Sequence, residues 1–126
     1  MAEAIPRNLP RPERLAAILA RDGGACVWCG RPLAPDDRDV TFEHVIPRLK
    51  GGPAWAENEV PACRACNRRR GHRAPSAYLA ECEARGLTPN RAAIEDSLRR
   101  LAEAIAVRGG QRRARPYLER ELRRLG

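Results

Sequence analysis

The chain is poor in aromatic side chains, with two Trp, two Tyr and one Phe in 126 residues. Trp28, Phe42, Trp55, Tyr78 and Tyr117 must share any interior with Leu, Ile, Val and Ala. A core of that kind is thin at this length, so a further source of folding energy is expected. Long apolar runs are also missing. None approaches the ~20 residues that a membrane helix requires, so no membrane span is expected. The opening Met1-Ala2-Glu3-Ala4-Ile5-Pro6 lacks the basic start and apolar stretch of a secretory signal. The expectation is therefore a cytoplasmic protein, in which thiols stay reduced. Lysine is nearly absent: Lys50 stands against 23 arginines. In a chain rich in Ala, Gly and Pro that imbalance reads as codon bias and says little about partners. Histidine is scarce as well, with only His44 and His72.

What is present is concentrated. The net charge is +8, and two stretches carry the excess. Cys63 to Arg73 holds five arginines and no acid; Arg108 to Gly126 holds seven arginines and two glutamates. A localised basic excess is the electrostatic footprint of a polyanion. The four cysteines Cys26, Cys29, Cys63 and Cys66 form two Cys-x-x-Cys pairs. In a reducing compartment two such pairs read as a tetrahedral zinc site. A structural zinc supplies the stability that a thin core lacks. Between the pairs stands Glu43-His44-Val45-Ile46-Pro47, an acid beside a histidine, as a catalytic site needs. The fifth cysteine, Cys82, reads as a reduced packing residue near Leu79 and Tyr78.

Taken in order, residues 1–11 read as an extended tail. Pro12 opens a short helix with Leu15, Ile18 and Leu19 on one face, stopped by Asp22-Gly23-Gly24. Cys26 to Gly30 is a knuckle, in which the glycine lets the backbone reverse and beside which Trp28 packs. Val40 to Ile46 is β-branched and aromatic, a strand ended by Pro47. Gly51-Gly52-Pro53 marks a loop that runs to Asn58 and contains Trp55. Val60-Pro61-Ala62 leads as a second strand into Cys63, and a helix over Arg64–Arg70 is ended by Gly71. Beyond it, Pro75 starts a helix that Gly86 stops. Thr88-Pro89 reads as a cap and first turn, and Ile94, Leu98, Leu101 and Ile105 as a helical seam ended by Gly109-Gly110. Pro116 starts a last helix, with Leu118, Leu122 and Leu125 on one side and arginines on the other. The expected fold is α+β in one domain of residues 1–126. A small zinc-bound ββα core occupies about 25–73, preceded by a helix and followed by an all-helical extension over about 74–126.

The series Cys26-x-x-Cys29, Glu43-His44-Val45-Ile46-Pro47, Gly51-Gly52, Asn58, Cys63-x-x-Cys66-Asn67 resembles the HNH endonucleases with a four-cysteine zinc, built on the ββα-metal, treble-clef-like fold. The resemblance covers about residues 25–71. It implies metal-dependent hydrolysis of a phosphodiester in DNA, with His44 as general base and Asn58 holding the loop that orients it. Glu43 and Asn67 would be ligands of a catalytic divalent ion, Mg²⁺ or Mn²⁺, and the four cysteines would hold the structural zinc. His72 is a weaker candidate for a metal role. Glu43 stands where Asp is common, Asn67 where many members have His, and Arg70 where Lys is frequent.

The chemistry asks for these types. An imidazole with pKa ~6.5 accepts a proton from water near neutrality. Hard divalent ions favour oxygen donors and leave positions open for substrate. Arg64, Arg68, Arg69, Arg70 and Arg73 suit phosphate oxygens through planar forks, which fix register rather than sequence preference. Adjacent strand residues point to opposite faces, so Glu43 and His44 take separate roles if the chain bends before Pro47. Two alternatives remain. One is a zinc-dependent nucleic-acid-binding module without cleavage. The other is an accessory nuclease subunit of a phage-packaging, restriction or mobile-element complex, with the C-terminal helices as the surface for a homodimer or larger assembly.

Overall fold

The structure is a computed structural model and describes residues 4–125. The reading of an extended N-terminal tail falls in part on residues 1–3, outside the described residues. Helix α1 is Arg11–Arg21, with Pro12 in its first turn and Leu15, Ile18 and Leu19 buried along one face. Strands β1 (Val40–His44) and β2 (Glu59–Cys63) form an antiparallel hairpin in which Val40 faces Cys63 and His44 faces Glu59. Helix α2 (Arg64–Arg70) follows β2 directly, and α3 (Pro75–Ala84), α4 (Arg91–Arg108) and α5 (Ala114–Leu125) complete the chain. The architecture is a small α+β core with a helical extension, as the sequence implies. Among the described residues no helix is long and apolar enough to cross a membrane.

The hairpin is covered on both faces. Side chains alternate along β1, so Thr41 and Glu43 face α2 while Phe42 and His44 face α1. Asn67 on α2 donates to the Thr41 hydroxyl at 3.0 Å, and Arg11 and Arg14 of α1 stack over the Phe42 ring at 5.0 and 4.7 Å. The knuckle seals one edge. Trp28 is fully buried and meets Tyr78 of α3 edge to face at 5.0 Å, a geometry favoured by the ring quadrupoles. The backbone reversal of the knuckle needs Gly30: its φ is +83°, and a Cβ there would lie 2.8 Å from the Thr88 carbonyl.

The extension folds back onto this core. Leu98, Leu101 and Ile105 of α4 join the same apolar cluster as Ile46 and Val60. The Asn90 backbone N–H donates to the Val27 carbonyl at 2.8 Å, and the Ser97 hydroxyl donates to the Glu57 carbonyl at 2.9 Å. Glu121 of α5, fully buried, accepts from the Ser76 N–H at 2.7 Å and its hydroxyl at 2.9 Å. A carboxylate there satisfies an orphan donor in the first turn of α3.

Three boundaries differ from the sequence reading. Strand β1 ends at His44, because Ile46 gives its N–H to the Asn58 side chain instead of to a ladder partner. Helix α4 starts at Arg91 rather than at Thr88-Pro89: Asn90 is the cap, its side chain accepting from the Ala93 N–H at 3.0 Å. Helix α5 starts at Ala114, two residues before Pro116. Its buried face is Tyr117, Leu118 and Glu121, with Leu122 and Leu125 only partly covered.

Candidate active site and zinc centre

Cys26, Cys29, Cys63 and Cys66 converge at the junction of the knuckle, the end of β2 and the start of α2. Their four sulfurs lie within 4.8 Å of one another, and all four are free thiols. Cys29 and Cys63 Sγ are 4.0 Å apart, too far for a disulfide and suited to a common tetrahedral ion. Burial pushes the Cys26 thiol up to about 11. A dication reverses that, since the thiolate is the ligand. The donor set fits zinc, and this group alone among the described residues brings three or more Cys, His, Asp or Glu side chains into metal-holding range.

His44 closes β1, and the chain bends at Val45 and Ile46 immediately after it. Two side chains fix that bend, and a glycine makes room for one of them. Asn58 is fully buried; its Oδ1 accepts from the Ile46 N–H at 2.8 Å, while Nδ2 donates to the Ile46 and Pro53 carbonyls at 3.0 Å each. Gly52 admits this clamp, because a Cβ there would fall 1.7 Å from the Ile46 carbonyl oxygen and 2.9 Å from Asn58 Nδ2. From the other side Arg70 donates to the carbonyls of His44 at 2.7 Å and Val45 at 2.6 Å. The His44 ring is held below its ordinary pKa, first by burial and then by Arg48, Arg70 and Arg14. It is therefore a neutral acceptor near pH 7.

Arg70 requires a correction. The sequence reading places it among the arginines that contact phosphate, but it is 1% exposed. Its Nε donates to the Arg73 carbonyl at 2.9 Å, and its guanidinium lies 5.2 Å from the Trp28 ring centre and 3.3 Å from Glu43 Oε1. It is an internal fastener of β1. The signal was present in the sequence: Arg70 lies four residues after Cys66, on the same face of α2. Arg64, Arg68, Arg69 and Arg73 are exposed, with Arg73 paired to Glu81. His72 is exposed beyond Gly71 and makes no ion pair among the described residues.

Glu43 and His44 point to opposite faces. Glu43 is buried under α2, where Oε2 accepts from Trp28 Nε1 at 3.1 Å and Oε1 faces Arg70. Burial pushes its carboxyl up to about 7, against the pull of Arg70 and Trp28. Asn67 spends its Nδ2 on Thr41 Oγ1 and on the Phe42 carbonyl at 3.3 Å. As folded, this pair does not fit a divalent ion, because a guanidinium and an indole N–H already occupy the carboxylate.

Two features escaped the sequence reading. Glu59, 2% exposed, stands across the hairpin from His44. The second is a cavity of about 440 Å³ lined by Arg7, Asn8, Arg14, Trp55, Glu57 and Arg108 among others, which shares with Glu59 only its neighbour Arg14. Arg108 covers the Trp55 ring at 4.4 Å and pairs with Glu57 at 3.0 Å. This basic cleft is assembled from three distant segments, which explains why no local pattern announces it.

Compared with known proteins, residues 26–82 match the family of HNH endonucleases. The matched segment spans the four clustered cysteines, the hairpin, α2 and most of α3, and it is this segment that is similar to the family. A comparison with curated proteins returns no match. That likeness speaks for a nuclease-type hydrolase.

Proposed function

We propose that the protein is an endonuclease that hydrolyses phosphodiester bonds in DNA, nicking or cutting both strands, with His44 as the general base. The observation that carries this reading is the double clamp on the bend after β1. Asn58 and Arg70 fix the backbone on either side of one neutral, partly exposed imidazole. Such preorganisation is what proton abstraction from a positioned water demands. Exposed Arg64, Arg68 and Arg69, with Arg7 and Arg108 of the cleft, would hold the strand by its phosphates, without reading bases. The zinc would stand outside the chemistry and hold the knuckle to α2. The Mg²⁺ or Mn²⁺ implied by the resemblance would require Glu43 to leave Arg70. Supercoiled plasmid incubated with the protein and either ion should be nicked or linearised. An intact plasmid across both ions would refute the reading.

The enclosure of Glu43 favours a second reading: a zinc module that binds nucleic acid without cutting it. Titration of Mn²⁺ into the zinc-loaded protein with DNA separates the two. Binding of a second ion supports the nuclease, and zinc alone supports the binder.

A further inference from the structure

Three buried polar atoms without a hydrogen-bond partner meet beside His44: its own Nε2, Oε1 of Glu59 and Nε of Arg14. They fall in a line. Arg14 Nε stands 3.6 Å from Glu59 Oε1, and Glu59 Oε2 stands 3.8 Å from His44 Nε2. Neither gap is a hydrogen bond, and a buried polar atom left without a partner is destabilising. Glu59 is also the one charged residue of β2, whose other four positions are Val60, Pro61, Ala62 and Cys63. An apolar residue would fill that place more cheaply. The Glu59 backbone is tied down separately, its carbonyl accepting from Arg21, so the carboxylate is not needed to hold the strand.

We propose that Glu59 is the positioning residue of His44, gripping the imidazole at Nε2–H while Arg14 anchors the carboxylate. This inference rests on the reading of His44 as general base. Nε2 is enclosed while the side chain as a whole is 22% exposed, so Nδ1 is the nitrogen left to react. In the hydrolytic step Nδ1 takes a proton from water, the water oxygen forms the new P–O bond, and the P–O bond to the leaving sugar oxygen breaks. That oxygen is protonated by solvent water. Nε2 keeps its proton throughout and Glu59 stays a carboxylate. The resulting imidazolium faces an anion, and the 3.8 Å gap can contract to a charge-assisted bond of about 2.8 Å.

The test is a double-mutant cycle on single-turnover plasmid cleavage with Glu59→Leu and His44→Ala, beside a Glu59→Gln variant. Glu59→Leu should lower the rate on the order of tenfold or more in the wild-type background and not at all in the His44→Ala background. Plasmid affinity should be unchanged. Glu59→Gln, which keeps an acceptor, should recover part of the rate. Ring ¹⁵N resonances give a second readout: Glu59→Leu should move those of His44 and leave exposed His72 in place. Equal rate losses in both backgrounds, or an unmoved His44 resonance, would overturn the role of Glu59 alone. Wild-type cleavage by His44→Ala would overturn the underlying reading with it.

Discussion

Arg70 donates a 2.7 Å hydrogen bond to the backbone carbonyl of His44 from a position that is almost completely buried. The residue that reads as part of a basic surface is thus the inner support of the candidate base. Replacing it with lysine would keep the charge and lose the fork. A single ammonium cannot span the His44, Val45 and Arg73 carbonyls and Glu43 together. Arg70→Lys should cost about 1.5–3 kcal/mol, the range for a lost hydrogen bond to a charged group. Arg70→Ala, which strands Glu43 without its cation, should cost about 3–5 kcal/mol. Urea denaturation measures both, and a cost under 0.5 kcal/mol for the alanine variant would be incompatible with an internal fastener, since that is what ordinary surface changes cost.

Asn58 supports the same bend from the opposite side. Asn58→Asp keeps the acceptor for the Ile46 N–H but turns two donated bonds into contacts between a buried carboxylate and carbonyl oxygens. It should be destabilised by about 2–4 kcal/mol, from two lost bonds and a desolvated charge, and its cleavage rate should fall with it. A denaturant midpoint equal to the wild type would show that the clamp is dispensable.

The zinc prediction is a fold prediction. Purified protein should carry one zinc per chain by elemental analysis. Removing it with a strong chelator should abolish cooperative unfolding, because ion binding supplies folding energy that five aromatic residues do not. Cys66→Ser should behave likewise. A chelated protein that melts as sharply as the holo form would place the stability elsewhere.

The pH dependence follows from His44. Burial and the neighbouring Arg48, Arg70 and Arg14 lower its pKa in the fold, so between that value and ~6.5 the unfolded chain binds the proton more strongly. The stability that His44 contributes is complete above ~6.5 and is lost as pH falls below it. His44→Gln should flatten this acid limb in melting experiments; a limb unchanged in that variant would assign it to another group.

Phosphate contacts should separate the exposed arginines from the buried one. Arg68→Ala with Arg69→Ala should weaken DNA binding and reduce the slope of log K against log salt by about 0.9 per lost contact. Arg70→Lys should leave that slope unchanged. A reduced slope for Arg70→Lys would return it to the interface.

Much of this arrangement is legible from residue order. The knuckle, the bounds of α2, the seam Ile94, Leu98, Leu101 and Ile105, and the apolar face of α1 follow from short-range chemistry: cysteine spacing, glycine and proline punctuation, and helical period. What was not legible depends on register and enclosure. Glu59 faces His44 only because the hairpin pairs those two positions, and the connecting loop does not declare its register to a reader of the sequence. Thr88-Pro89 carries a good helix-start signal, but the knuckle takes the Asn90 backbone N–H and moves the start to Arg91. Glu43 beside His44 reads as a ligand next to a base, and no local pattern reveals that α2 and the knuckle surround its carboxylate with Arg70 and Trp28.

The central claim is that His44 takes the proton from the attacking water. The most direct measurement is the single-turnover rate of supercoiled-plasmid cleavage by His44→Ala against the wild type, at saturating protein and with equal plasmid affinity confirmed. Loss of a general base should lower the rate by about 10²–10⁴-fold while DNA binding and the zinc content stay unchanged. Cleavage by His44→Ala at the wild-type rate would contradict the account.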